Sequence, residues 1–536
     1  MTFTKYIGVY ATYSDLFGEK FDLPKLQKLI EDLPFGPIIN ALSQISSIQG
    51  IDNKTIRTNF IEYLRSYEIP YVDLIEQKLA ARVLYSKQGL LTVWKWVLAF
   101  GDQTKIDSEI NIGHAASLIV YLHLISSDYL YDERIDVGQI KYDLFTNVFF
   151  NSEQPVNVAL ARAVILFNDI AQEEDDFNRK EFIDVNETFI NKYGYSIKEY
   201  LASVFMIFAG FIKKDSELVS NWTLPVSYFE RTNIPEQSQK VLKEISISLE
   251  EARKWSKSTI HEPWNYTIFR QKPILSLNNG SFMPINFMFL CETVFSELYF
   301  KIRHAYPNEN TQILSFFGRC FERYVESIAI QAVNISNLPY EYIKEFQFGG
   351  KRSPDAMIRL GNKLLIIEAK VRRLSMDSLI NPSQQVIDKD INRMVVTPLK
   401  QLHNCLLELK KIGHPVLDDV DDIYLMSVTY GSFPSLPPFE EEIDNNLQSH
   451  FKIPIKGHYH LDIEEFELLA EVMSRKHAKP VFKYLDNKKK LMSKMSFKNF
   501  LFSSNLRPRI FGPIKEKLDE TLNEIQDIAF GPRNTR

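Results

Sequence analysis

The sequence predicts a protein in two parts: a largely helical N-terminal region, then an α+β or α/β domain with a central mixed sheet flanked by helices. Three observations predict it. Up to residue 262 apolar residues recur mostly at three- and four-residue spacing, the period of amphipathic helices. After Glu262-Pro263-Trp264 that period gives way to short apolar runs punctuated by Asn, Gly and Pro, as in strands and turns. Between Ser353 and Val371 two such runs are joined by Gly361-Asn362, a two-residue turn of the kind that closes hairpins.

Composition narrows the field. A chain of 536 residues has length for two or three domains, and 45% hydrophobic with 24% charged residues is ordinary for a globular protein. The net charge of −5 excludes a global basic signature, so any surface for nucleic acid must be local. Cys291, Cys320 and Cys405 have no CxxC spacing, which argues against a zinc ribbon or disulfide framework and fits a reducing cytoplasm. Met1 to Tyr6 lack the apolar core of a signal peptide, and no apolar run approaches the ~20 residues of a membrane span. The expectation is a cytoplasmic protein without a membrane partner.

In the first half, helices are predicted over Ile75 to Phe100, with Gly89 as a break, and over Ala115 to Ile125, Val156 to Ala171, Ser196 to Ile212 and Gln237 to Lys254. Trp94, Trp96, Trp222 and Trp255 are read as packing residues rather than base-stacking platforms. Glu173-Glu174-Asp175-Asp176 is read as a solvated loop rather than a metal site. Nothing here has the spacing of a phosphate loop, and the half is expected to support, sense or bind something, a partner protein included. Ile268 to Leu277 reads as a strand, Asn278-Asn279-Gly280 as a turn, Phe282 to Ile285 as a return strand and Phe287 to Ile302 as a helix.

Thr311 to Val333 is predicted helical, with its stripe on Ile313, Leu314, Phe317, Phe321, Tyr324, Val325 and Ile328. Glu322 and Glu326 lie one turn apart. Tyr340 to Phe348 reads as a strand, with Gly349-Gly350 as the bend into the hairpin. If Gly361-Asn362 is the turn, Leu360 pairs with Lys363 and Asp355 falls opposite Glu368, with Cβ atoms roughly 5 Å apart. Alternation puts Lys370 on the same face. Two opposed carboxylates need a cation. Lys370 alone makes an ion-pair cluster at a sheet end and leaves one carboxylate over; a divalent metal such as Mg²⁺ accounts for the set.

Pro354-Asp355, followed after the turn by Glu368-Ala369-Lys370, resembles the PD-(D/E)XK nuclease superfamily, the restriction-endonuclease-like fold. The resemblance spans about Ile313 to Met473. It implies that Asp355 and Glu368 hold Mg²⁺, with Mn²⁺ as a substitute, that the Ala369 backbone carbonyl is a third ligand, and that Lys370 activates or positions the attacking water. It also implies a further Glu from the preceding helix. Gly318 to Val325 resembles that helix, so Glu322 is the candidate and Glu326 the reserve, against an exposed pair on a solvated face. A polar residue from the helix starting at Pro398 is expected over the site, with Lys400 and Gln401 as candidates for phosphate or water contact or as plain surface residues.

After the hairpin a polar loop with Arg372, Arg373 and Asp377 is expected, then the helix from Pro398 to Lys411, a strand at Ile423 to Thr429, and a helix from Glu464 capped by Asp462. His458 and His460 share a strand face, but no partner carboxylate is visible, so they are read as ordinary histidines. From Arg475 to Lys498 basic residues, Lys488, Lys489 and Lys490 among them, interleave with Phe482, Tyr484, Phe497, Phe500 and Phe502. That stretch reads either as a nucleic-acid surface or as an amphipathic tail packed on the core. The division is 1–262 helical, 263–310 connector hairpin and helix, 311–480 nuclease-type domain and 481–536 basic C-terminal extension. The expected function is metal-dependent hydrolysis of nucleic acid, DNA favoured over RNA, in a context such as bacterial defence against foreign DNA. The alternative is a catalytically silent nuclease-like fold that binds nucleic acid or protein.

Overall fold

The computed structural model describes residues 10–47, 53–68, 71–80, 82–130, 137–151, 156–173, 177, 181–212 and 218–532. Met1 to Tyr6 and Glu174-Asp175-Asp176 of the acidic run lie outside them.

Helices fill most of the first half. Val72–Ala80 and Lys87–Phe100 are separate, but the break precedes Lys87 rather than falling at Gly89. Ser86 caps the second helix by accepting the Gly89 N–H at 2.9 Å. Gly89 has a packing reason: a Cβ there would stand 2.2 Å from Nε2 of His123, on the buried helix Ile112–Leu130. Trp94, Trp96 and Trp222 are buried, and Trp255 packs partly buried against the same core.

The helix expected over Gln237 to Lys254 is instead Pro235–Ile245 and Leu249–Ser258, split by the strand Ser246–Ser248. Ser248 ends that strand and opens the second helix through a capping box with Glu251. Ser246–Ser248 pairs in parallel with Ile274–Ser276, which forms the expected hairpin with Ser281–Pro284; Leu224–Pro225 completes a four-stranded sheet. Two expectations here are corrected. Thr267–Gln271 is helical, so the strand begins only at Ile274 after Pro273. Phe287 to Ile302 is two helices, Phe287–Val294 and Ser296–His304.

The central sheet has five strands: β1 (Glu341–Lys344), β2 (Ala356–Leu360), β3 (Lys363–Lys370), β4 (Asp422–Thr429) and β5 (Gly457–Asp462). They lie side by side in chain order. β2 is antiparallel to β1 and β3, whereas β3, β4 and β5 are mutually parallel, so the sheet is mixed. The strand expected to Phe348 stops at Lys344. Gln347–Phe348 leaves to pair with Lys351–Arg352 around Gly349 and Gly350, at φ 53° and 76°, a left-handed turn that favours glycine.

Helices cover both faces. Gln312–Ile335 (α2) packs on Ala356, Ile358, Leu365 and Ile367, and Thr397–Lys411 (α3) on Met357, Leu364, Ile366 and Leu425. Here α1 denotes Val156–Val164 of the first half. The polar loop expected after β3 is only partly a loop: Met376–Ile380 and Gln384–Ile391 are helical, and a π-helical turn, Asn392–Val396, runs straight into α3. After β4 come Pro437–Gln448 (α4), then, after β5, Ile463–Ser474 (α5), Val481–Met492 (α6) and Gly512–Phe530 (α7). Asp462 caps α5 as expected, accepting from Glu465 N at 2.8 Å.

One apolar cluster runs through both halves. It joins Leu26 and Trp94 to Phe321, Ile367 and Tyr459, and ends on Ile525 and Ala529 of α7, which packs on α1 and on Ile197–Gly210. Among the described residues no helix is long and apolar enough to cross a membrane.

Candidate functional site

The site begins with a turn. Gly361 takes φ 59°, and the β2–β3 ladder runs from Leu360–Lys363 to Ala356–Ile367. The next opposed pair in that register is Asp355 and Glu368. Asp355 stands just beyond the last ladder pair, and its Oδ2 accepts the Ala369 N–H at 2.8 Å. Ala369 itself is buried in β3 and paired with Val428 of β4. Glu368 and Lys370 alternate onto the α3 side, with Leu364 and Ile366 beneath them. Lys370 Nζ donates to Glu368 Oε1 at 2.5 Å.

Glu322 reaches this cluster from α2. It is ion-paired with Arg319 one turn earlier, and Arg319 is also 3.5 Å from Glu345. Glu326 pairs with Arg323 at 2.7 Å instead. Of the two glutamates, Glu322 is the one that acts on Asp355 and Lys370.

The electrostatics follow from the crowding. Burial, then Glu368 and Glu322, push the Asp355 carboxyl well above the usual range against the opposing pull of Lys370 and the Ala369 N–H. Glu322 is also raised, by burial ahead of the relief from Arg319 and Lys370. Burial works against the charge on Lys370, but Glu368, Asp355 and Glu322 outweigh it and raise its pKa. Lys370 is therefore held as an ammonium, suited to positioning and charge compensation more than to taking a proton.

Among the described residues no group of three or more His, Cys, Asp or Glu side chains stands close enough to hold a metal ion. Lys370 engages Glu368 and Arg319 engages Glu322. The donor set itself, three carboxylates with a backbone carbonyl adjacent, is hard oxygen chemistry of the kind that takes Mg²⁺.

The other candidates separate. Lys400 turns to Asn446 on α4, at 2.7 Å. Gln401 is exposed, one turn before Cys405 on α3. The Cys405 thiol is pushed up to about 11 by burial and then by Glu368, which puts that face of α3 over the site. Lys489 donates to the Lys456 carbonyl at 2.7 Å and is exposed, as is Lys490. Lys488 is a correction: only 8% of it is exposed, and it faces Glu440, Glu465 and Asp444 rather than solvent. Phe482, Tyr484, Phe497 and Phe500 are buried while Phe502 is exposed, so this stretch largely packs back on the core.

The histidines bring a second correction. His458 lies 2.8 Å from Asp444 and His460 2.8 Å from Glu440, both carboxylates on α4. Arg319 and Glu345 were missed as site neighbours; the spacing Arg319-x-x-Glu322, repeated in Arg323-x-x-Glu326, is the signal for the first. Neither protein-family models, nor curated proteins, nor solved structures give a match to this chain.

Proposed function

We propose that the chain is a metal-dependent nuclease of the PD-(D/E)XK type, hydrolysing phosphodiester bonds in nucleic acid, DNA ahead of RNA. The observation that carries the reading is the crowding of Asp355, Glu368 and Glu322 around Lys370, at the end of a hairpin whose register opposes the two motif carboxylates. Among the central-sheet strands and the two helices that cover them, the order α2, β1, β2, β3, α3, β4 supports it, with α2 and α3 on opposite faces. So does the destabilised anion of Asp355: burial, Glu368 and Glu322 disfavour its charged form, and a divalent cation would favour it again.

In this reading Asp355 and Glu368, with the Ala369 carbonyl and Glu322, hold Mg²⁺ or Mn²⁺. A bound ion supplies Lewis-acid polarisation of the phosphoryl oxygen and an acidified water. The chain's own residues do the rest. Lys370 donates to the water or to the phosphoryl oxygen, so that charge gathering in the transition state meets a fixed ammonium. The Ala369 N–H fixes the Asp355 carboxylate. The water oxygen bonds to phosphorus as the bond to the 3′-oxygen breaks, and that oxygen takes the proton, leaving a 5′-phosphate. Foreign DNA in bacterial defence is a context in which such an enzyme fits.

One observation favours the second reading, a silent nuclease-like fold that binds nucleic acid or protein. Lys370 and Arg319 already compensate two of the three carboxylates. Calorimetric titration of Mn²⁺ into the parent chain and the Asp355→Ala variant separates the two. The nuclease reading expects one site that disappears with Asp355. Equal uptake by both chains, or none by either, supports the silent fold.

A further inference from the structure

A cavity of about 320 Å³ lies between the helices Phe287–Val294 and Ser296–His304 and the loops that leave β3 and β4. That is the size of a small-molecule site. Its wall carries three guanidiniums, Arg270, Arg373 and Arg393, with Phe149, Phe300 and Tyr430. Two of the arginines are matched. Arg270 pairs with Glu292 at 2.5 Å and Glu297 at 3.3 Å, and Arg393 with Asp390 at 2.6 Å.

Arg373 is different. Among the described residues it makes no ion pair, and its guanidinium donates one hydrogen bond, to the Ser296 carbonyl at 3.2 Å. Its guanidinium carbon stands 3.0 Å from the centre of the Phe300 ring and 5.4 Å from that of Tyr299. Burial pulls its pKa down to about 10, with Glu297 the largest opposing influence. Arg393 adds a second open donor: its Nε is buried without a hydrogen-bond partner among the described residues. Arg373 is half-buried, and a cation withdrawn from water without an ion pair favours a bound anion. Contact with the Phe300 ring uses none of the guanidinium's N–H donors, and the one bond to Ser296 leaves others for a bidentate oxyanion.

We propose that this cavity binds an organic phosphate of about mononucleotide size. Arg373 and Arg393 take the phosphate oxygens, and Tyr430 and Phe149 face the body of the ligand. The backbone ties the site to β3. Tyr430 N donates to the Lys370 carbonyl at 3.1 Å and Gly431 N to the Arg372 carbonyl at 2.9 Å. A ligand here therefore bears on the strand end that carries Lys370. The phosphate has two sources, a free nucleotide or the 5′-phosphorylated end of a strand. The inference does not depend on the nuclease reading.

The test is calorimetric titration of the full chain, in EDTA to keep metal out, with AMP, adenosine, and a trinucleotide with or without a 5′-phosphate. The expected result is that AMP, the phosphorylated trinucleotide or both bind, and the unphosphorylated counterpart binds at least tenfold more weakly. Arg373→Met weakens binding at least tenfold. Met376→Trp, at a cavity residue that is 39% exposed, blocks it without touching the arginines. Asp355→Ala leaves it unchanged. AMP binding identifies a free nucleotide as the source; binding of the phosphorylated trinucleotide alone identifies a strand end. No binding of either phosphate, or binding that survives both Arg373→Met and Met376→Trp, overturns the proposal.

Discussion

Arg162 and Glu467 form a bidentate ion pair, Nε to Oε1 and Nη2 to Oε2, both at 2.6 Å, with side chains only 1% and 4% exposed. The Tyr324 hydroxyl donates to the same carboxylate at 2.7 Å. One buried carboxylate thus ties α1 of the helical half to α5 and to α2, two residues beyond Glu322. Arg162→Met leaves Glu467 buried without its partner, at a cost of about 3–5 kcal/mol. Urea unfolding should show that loss, and the double variant Arg162→Met/Glu467→Leu should recover most of it. Equal stability of Arg162→Met and parent would contradict this account of the joint.

Glu465 gives the protein a pH dependence. Burial, then Asp462, raise its carboxyl to about 7 from the ordinary glutamate value of 4.5, in spite of the Lys498 N–H that it accepts. An acid whose pKa is raised on folding favours the folded state while protonated. That contribution is full below about pH 4.5 and is lost as pH rises through 7, on the order of 2–3 kcal/mol. Glu465→Gln keeps the acceptor and removes the charge, so its melting temperature should fall less between pH 5 and pH 8 than the parent's. Parallel pH profiles for the two chains would count against it.

Neighbouring lysines on α6 should behave oppositely. Lys488→Met leaves Glu440, Glu465 and Asp444 without their buried cation and should cost about 3 kcal/mol or more in a denaturation series. Lys490→Ala, on the exposed side, should stay within about 0.5 kcal/mol of the parent.

Gly89→Ala tests the close approach of the first-half helices. The added Cβ meets His123 Nε2 at 2.2 Å, and that nitrogen already accepts the Ser86 N–H at 2.8 Å. Overpacking of this kind costs about 1–3 kcal/mol, readable as a drop in melting temperature.

What was legible in the chain depended on how local the cause was. The Asp355–Glu368 opposition is arithmetic once the turn at Gly361 is known, and β3 announces itself as an unbroken apolar run. The Glu322 helix follows from one stripe of apolar residues. Partners supplied by distant elements were not legible. Asp444 and Glu440 meet His458 and His460 only because the crossover from β4 to β5 lays α4 against β5. Lys488 read as surface among lysines because its inward aim is set by α6 packing, not by its neighbours in sequence. The strand Ser246–Ser248 hid inside a helical pattern, since three residues are too few to show a period of two. The core shared by the two halves depends on α7 returning to α1 from the far end of the chain.

The most direct test of the central claim is cleavage of plasmid, linear duplex, single-stranded DNA and RNA in Mg²⁺ and in Mn²⁺, with Glu368→Ala and Lys370→Ala run alongside. The account predicts that the parent cuts at least one substrate, DNA first, in a metal-dependent way. Both variants should lose activity by two orders of magnitude or more while keeping the parent's far-ultraviolet circular dichroism. Cleavage that persists in either folded variant, or that survives EDTA, would contradict it.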